Sequence, residues 1–415
     1  MSVHEKEKRM NVCLIYPGYP PEENLGGGIS TFVTDFSELL KYLNCNVTVV
    51  TRSDKNKVIK KEKKNGITIY RIPSDNSFLT ESSPLFSFNQ FGAIDYTKRL
   101  VQLIVEIEKN NKSFDVIEVA DWGAEAFYLI QEEGFKNRTI IRCHTPAFIA
   151  ESYNPSNKEF LSLLVKEMEK YVLLNSKHVL SYSDLLMKSI EKQLKVKISY
   201  NLQNFFIQEK GIDVKKVYKS NFSSRKRMKI LTVGRIEERK GTDVLIKAVE
   251  KMIDRGYQVE LDFIGSTTPL KNGYDSVAEW KNYLKNNIKY NNQINFLGFF
   301  SHREVKRMYK NYDLFVMASR FESWGLTIVE AIYAKVPVVV SDGCTVSKYL
   351  KEGKDCFIFK NKEVYDLVKK MIYVYEKYNE IISVTESAKE TVKNKFDPLK
   401  ETKKIKDYYN KISRL

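Results

Sequence analysis

Short β-branched runs recur along the chain, each followed by a polar loop and then by apolar residues at helical spacing. In the first half, Asn11–Tyr16, Val47–Thr51, Ile67–Ile72, Val116–Val119, Thr139–Cys143 and His178–Ser181 read as buried strands. Helices are predicted from Gly28 to about Leu43, over Gln90–Asn110, over Lys158–Asn175 and over Asp184–Leu194. The stretch 196–227 is irregular and basic, the best place for a linker. The pattern then restarts with strands at Lys229–Val233, Val259–Ile264, Ile294–Leu297, Leu314–Met317, Val336–Val340 and Cys356–Phe359. Ser301-His302-Arg303-Glu304 has the spacing of a capping box, and helices run from Glu363 to the end. Alternating strands and helices predict an α/β protein with two doubly wound halves and a ligand in the cleft between them.

Ser319–Asp342 is the most informative stretch. It reads as strand, tight loop, helix Leu326–Ala334 and strand, with Glu322 in the loop and Glu330 on the helix. Such a loop lies at the C-terminal end of a strand, where open α/β sheets bind ligands. The helix start offers free N–H groups to an anion. Carboxylates beside such a site suit neutral hydroxyls, as on a sugar. Thr327 and Glu330 equally fit a capping box, and both readings satisfy the spacing.

Composition narrows the classes. The 415 residues suffice for two or three domains, and no run of apolar residues is long enough to predict a membrane-spanning helix. The N-terminus is charged and lacks the apolar core of a secretory signal. Cys13, Cys45, Cys143, Cys344 and Cys356 are scattered, without metal-ligand spacing, and predict reduced, buried thiols in a cytoplasmic protein. The net charge of +16 gathers in lysine-rich patches at 60–64 and 225–229. It suits an anionic ligand or an anionic membrane face, or else a solvated surface. No nucleic-acid motif accompanies it, so nucleic acid is not an expected partner.

Other candidates sit on loops. Gly26-Gly27-Gly28 separates a strand from a helix, either for close backbone approach to a phosphate or sugar or as a hinge. Arg235 and Lys240 share one loop before a helix, where cations oppose the dipole. A bound diphosphate resolves that conflict; so does pairing with Glu237 and Glu238. His144 ends a buried strand and is expected to face the cleft, or to be a packed histidine. Asp121, before Trp122, reads as a helix cap or a site residue. His302 has no supporting context. No Walker loop, dinucleotide fingerprint, serine nucleophile or metal motif is present.

Taken together, these residues resemble the retaining glycosyltransferases of family 4, which have the glycosyltransferase-B fold. The resemblance rests on Gly26-Gly27-Gly28, His144, Val233 to Gly241, Phe296-Leu297-Gly298 and, most specifically, Glu322 followed by Glu330. It implies two Rossmann-like domains facing a central cleft, with residues 1–205 binding acceptor and 206–394 binding nucleotide sugar. Residues 395–415 pack back onto the first domain. It implies catalytic roles for Arg235, Lys240, Glu322 and His144, with the two cations on the donor diphosphate. Glu330 holds the ribose, Glu322 sugar hydroxyls, and Leu326 and Thr327 a phosphate, while Gly27, Gly28, Gly298 and Gly325 line the donor. Asp121 and Trp122 are its acceptor contacts. The implied reaction moves a hexosyl or N-acetylhexosaminyl unit from a UDP-linked donor to a hydroxyl of a sugar, lipid-linked or protein acceptor. It needs no cofactor or metal; the protein is expected in the cytoplasm, and its basic patches suit peripheral contact with an anionic membrane. Rivals are a glycosidase using both glutamates, an epimerase or hydrolase on the same fold, a non-catalytic partner subunit and a basic nucleic-acid binder. The sequence departs from the family at Ser323-Trp324, at Lys335 in place of glycine, at Asp342-Gly343-Cys344 and after Gly265.

Overall fold

Strands covered on both faces read as near-continuous apolar runs, and the first unit is built on such strands, interrupted at Glu118 and Arg142. The structure is a computed structural model that describes residues 9–20, 27–53, 58–73, 89–111, 113–154, 163–206, 208–214, 227–267 and 275–414, the side chains of 89–92 excepted. Gly26 lies outside the described residues, as does all but the last residue of the polar, aromatic stretch 76–89, which the sequence reads as a long loop. The chain divides into two units, one of Met1–Ile149, Leu161–Phe206 and Pro398–Leu415, the other of Ala150–Phe160 and Ile207–Asp397.

The first unit holds an eight-stranded sheet of β1 (Asn11–Tyr16), β2 (Asn46–Ser53), β3 (Lys60–Lys64), β4 (Ile67–Pro73), β5 (Val116–Ala120), β6 (Thr139–Cys143), β7 (His178–Ser181) and β8 (Asn201–Leu202). Its order is β3-β4-β2-β1-β5-β6-β7-β8, parallel except for β3 against β4. Every residue of β5 and of β6 is buried.

The lysine run 60–64, read as a charged patch, is the edge strand β3. Its lysines are exposed, a composition that discourages edge-to-edge pairing. Glu62 alone turns to Arg71, 2.9 Å away. Asn65 and Gly66 both take positive φ, 50° and 78°, as a two-residue hairpin turn requires. Arg71 is 1% exposed and donates to the carbonyls of Tyr19 and Pro20 at 2.9 and 2.8 Å. It thereby anchors the chain as it leaves β1.

A buried ionic centre locks this sheet to the last helix, Pro398–Ile412. Arg142 of β6 makes two bonds to Glu118 of β5, at 2.7 and 2.6 Å. Tyr16 donates to the same carboxylate at 2.6 Å and Tyr409 of the last helix at 2.5 Å. The Arg142 guanidinium also lies over Phe32 and Phe36, 5.0 and 5.2 Å from their ring centres.

The second unit holds a parallel six-stranded sheet of β9 (Met228–Val233), β10 (Val259–Ile264), β11 (Ile294–Gly298), β12 (Leu314–Met317), β13 (Val338–Ser341) and β14 (Phe357–Phe359), in the order β11-β10-β9-β12-β13-β14. β13 starts at Val338, later than the apolar run predicts. Val336 still donates to Ala331 of the preceding helix, and Pro337 has no N–H to give. Lys335 ends that helix at φ 58°, a conformation that glycine adopts freely, which is the physical reason for a family glycine here. All five cysteines are buried and free. Among the described residues no helix is long and apolar enough to cross a membrane.

Candidate functional site

In the second unit the strand order reverses between β9 and β12, and ligands of such sheets bind at the carboxyl ends of the strands at that switch point. The loop after β9 carries Arg235 and Lys240; the loop after β12 carries Glu322. Glycines let these loops close on each other. Gly241 has φ 69°, and a Cβ there meets the Ala318 carbonyl oxygen at 2.0 Å. A Cβ on Gly265 meets the Gly234 carbonyl oxygen at 2.0 Å.

Arg239, which the sequence did not single out, is the brace. Its guanidinium reaches Glu237 at 2.6 Å and the Phe321 carbonyl at 3.1 Å, and its backbone N–H donates to Asn154 at 2.7 Å. Tyr153 stacks on Phe321 at 4.6 Å. Residues 150–154 thus belong to the second unit, although they follow strands of the first.

Lys240 is ion-paired with Glu322, and Arg239 lies 3.8 Å from the same carboxylate. Burial pushes the Glu322 carboxyl up, but Lys240 and Arg239 outweigh it and hold it below its ordinary value. Arg235 lies 3.8 Å from Glu237 and keeps 38% of its side chain exposed. The paired-cation reading therefore holds for Arg235 with Glu237, whereas Lys240 turns to Glu322. Arg235, Lys240, Ile236 and Thr242 line one small recess with Gly234 and Phe263.

Glu330 is 2% exposed on the helix Leu326–Tyr333. The capping-box reading of Thr327 and Glu330 fails: the cap is Gly325, at φ 110°, and no side chain caps the helix. The N–H groups of the first turn, at partly buried Leu326 and Thr327, therefore have no side-chain cap. The Glu330 carboxylate instead meets His302 Nε2 at 2.6 Å and the Tyr309 hydroxyl at 2.8 Å. Burial raises its pKa, and His302, Lys306 and Tyr309 together bring it below the ordinary value. His302 has context after all. It opens the helix His302–Met308, whose capping box at Ser301 and Glu304 is present as the spacing predicts. Gly298 ends β11 at φ 81°, with open space where a Cβ would stand.

The first unit places its candidates on loops after β1, β5 and β6. Gly27 caps the helix Gly28–Tyr42 without a side-chain bond, and both glycines are exposed. His144 does not face open space: it is 5% exposed, because Tyr16, Phe32 and Tyr182 wrap the end of β6. Its Nδ1 lies 2.7 Å from the Tyr182 hydroxyl, and its Nε2 has no partner among the described residues. Burial, with Arg142 nearby, keeps the ring neutral. A proton donated by Tyr182 to Nδ1 leaves Nε2–H as a free donor.

Asp121 is no helix cap either. It is 3% exposed, it caps nothing, and neither carboxylate oxygen has a partner among the described residues. Partly buried Trp122 follows it. Glu169 accepts from the N–H groups of Gly123 and Ala147, both at 2.9 Å. Burial pushes Asp121 up to about 7, against the nearby N–H groups of His144 and Thr145, and Glu169 up to about 8. A raised carboxyl value means that the fold favours the protonated form. The burial cost of Asp121 is therefore absent below about pH 4, grows with pH and saturates above about 7. Asp121→Asn is expected to stabilise the first unit at pH 8 by on the order of 3 kcal/mol and to change little at pH 4. His144 titrates with the opposite sign, its contribution fading as pH falls below about 6.5, and is common to both proteins. Urea unfolding at the two pH values checks this, and equal stability of both proteins at pH 8 contradicts it.

Among the described residues no three His, Cys, Asp or Glu side chains gather as a metal ion requires. Residues 26–199 match the family described as Glycosyltransferase Family 4, and residues 213–395 match Glycosyl transferases group 1. An uncharacterised glycosyltransferase of Methanocaldococcus jannaschii is 26% identical over 356 residues, 80% of each chain. Sucrose-phosphate synthase of Thermosynechococcus elongatus is similar in fold, with a TM-score of 0.75 at 16% identity over 97% of this chain and 99% of that one. HepE of Anabaena, in complex with UDP and glucose, gives a TM-score of 0.67 at 15% identity over 97% and 100%. The two family matches follow one another and span most of the chain, each lying chiefly on one unit. The chain therefore belongs to the family 4 glycosyltransferases of the glycosyltransferase-B fold, which move a sugar from a nucleoside diphosphate donor to an acceptor.

Proposed function

We propose that the protein is a retaining, metal-independent transferase that moves a hexosyl or N-acetylhexosaminyl unit from a UDP-linked donor to an acceptor hydroxyl in glycan or glycolipid synthesis. The observation that carries this is the cluster of Arg235, Lys240 and Glu322 on the two loops flanking the switch point of the second sheet. As the sugar C1–O bond to the diphosphate breaks, negative charge builds on the leaving group. Arg235, Lys240 and the uncapped helix start at Leu326 and Thr327 answer that charge without a divalent ion. The acceptor oxygen bonds to C1 on the face the leaving group vacates, and its proton passes to the departing phosphate oxygen.

Under this reading Glu330 grips the ribose and Glu322 the sugar hydroxyls. Gly27, Gly28, Gly298 and Gly325 admit the donor closely, and His144 offers Nε2–H to the sugar. Asp121 and Trp122 take the acceptor. UDP is favoured because the fold-related Anabaena protein holds UDP and glucose. The exposed lysines of β3 suit an acceptor presented at an anionic membrane surface.

A thermal-shift panel of UDP-, ADP- and GDP-sugars tests the donor, since ligand at about 100 times its Kd adds about 2.7 kcal/mol. UDP-sugars are expected to raise the midpoint, and the product anomer, read by NMR with a captured acceptor, is expected to keep the donor configuration. Stabilisation by ADP- or GDP-sugars alone overturns the donor base, and an inverted product overturns retention.

A further inference from the structure

Glu330 can hold two ribose hydroxyls only if its carboxylate is ionised, aimed and not already saturated. It is 2% exposed, where an unpaired charge is costly. Two neighbours keep it charged: His302 Nε2 at 2.6 Å on Oε1 and Tyr309 at 2.8 Å on Oε2. Each carboxylate oxygen has two lone pairs, so one stays free on each for a ligand hydroxyl. Tyr309 is fully buried and fixed. His302 keeps 39% of its side chain exposed, so it stands at the open side of the carboxylate. The Ser301–Glu304 capping box fixes the helix start and with it the direction of His302. Lys306, one turn on, is held by the Lys210 carbonyl at 3.1 Å, which leaves His302 as the side chain of this helix bonded to Glu330.

We propose that His302 is a positioning residue for nucleotide recognition: it aims Glu330 at the ribose and so sets the preference for a donor with intact ribose hydroxyls. This rests on the reading of Glu330 as the ribose grip. His302 does not touch the reacting atoms; it acts through the carboxylate.

The test compares calorimetric binding of UDP and of 2′,3′-dideoxy-UDP to the full chain, with the matching ADP and GDP pairs run alongside. Wild type is expected to prefer the ribonucleotide. His302→Ala is expected to lose about tenfold affinity for the ribonucleotide, the scale of one hydrogen bond to a charged group, while dideoxy binding stays within about twofold. His302→Gln, which keeps an N–H donor, is expected to recover part of the loss. Glu330→Gln is expected to show the same selective loss, and adding His302→Ala to it little more. Equal weakening of both nucleotides by His302→Ala, or weakening of neither, overturns the proposal and leaves the donor reading intact. A wild type that binds none of the nucleotides sinks the donor reading and the proposal with it. A wild type that binds without ribose preference overturns the role of Glu330 on which the proposal stands.

Discussion

Lys240→Ala is expected to lower kcat by about 10²- to 10³-fold, the loss seen when one preorganised group facing developing negative charge is removed. The substitution removes a cation from the recess lined by Gly234, Arg235 and Thr242. It leaves the fold largely in place, because Glu322 keeps Arg239 at 3.8 Å and Arg239 keeps its bonds to Glu237 and Phe321. Most of the effect therefore falls on turnover. Steady-state kinetics with the donor that the thermal-shift panel selects measures it, alongside urea unfolding of the same variant. Turnover within about threefold of wild type, with a folded protein, contradicts the role of Lys240.

Glu118→Ala has the largest expected effect on stability, a loss of about 3–5 kcal/mol. Its carboxylate, 0% exposed, accepts from Arg142, Tyr16 and Tyr409. Removing it leaves the Arg142 guanidinium charged in a site only 1% exposed. The same change frees Tyr409, so faster amide exchange is expected across Pro398–Ile412. Tyr409→Phe removes only one bond to the charged group and is expected to cost less, about 1.5–3 kcal/mol. Guanidinium unfolding of both variants orders the effects. A Tyr409→Phe loss as large as that of Glu118→Ala contradicts a centre organised on the carboxylate.

The uneven legibility of the sequence has physical causes. Buried parallel strands declare themselves because both faces are largely apolar, so β1, β5, β6, β9, β10 and β12 fall within a residue or two of where the pattern puts them. β3 hid because an exposed edge strand need not be apolar. Its readable signal was the Asn65-Gly66 turn ahead of an apolar run. The roles of Arg239 and His302 are not legible in the sequence for a different reason. Their partners, Phe321 and Asn154 in one case and Glu330 in the other, lie 28 or more residues away, and no local spacing encodes such contacts.

The sequence by itself determined the alternation of strand and helix, the doubly wound class, and the placing of Arg235, Lys240 and Glu322 on loops at strand ends. Those follow from periodicity and from the sterics of glycine and proline, which act over a few residues. Only the tertiary structure decided what each charged group answers to. Lys240 turns to Glu322 across two loops, and Glu330 turns from its own helix cap to His302 and Tyr309. Asp121 and His144 are buried, where the sequence left a cap or a site residue for the one and a cleft-facing or a packed ring for the other. A charge takes its partner and its protonation from what burial brings within a few ångströms, and burial is a property of the packed chain.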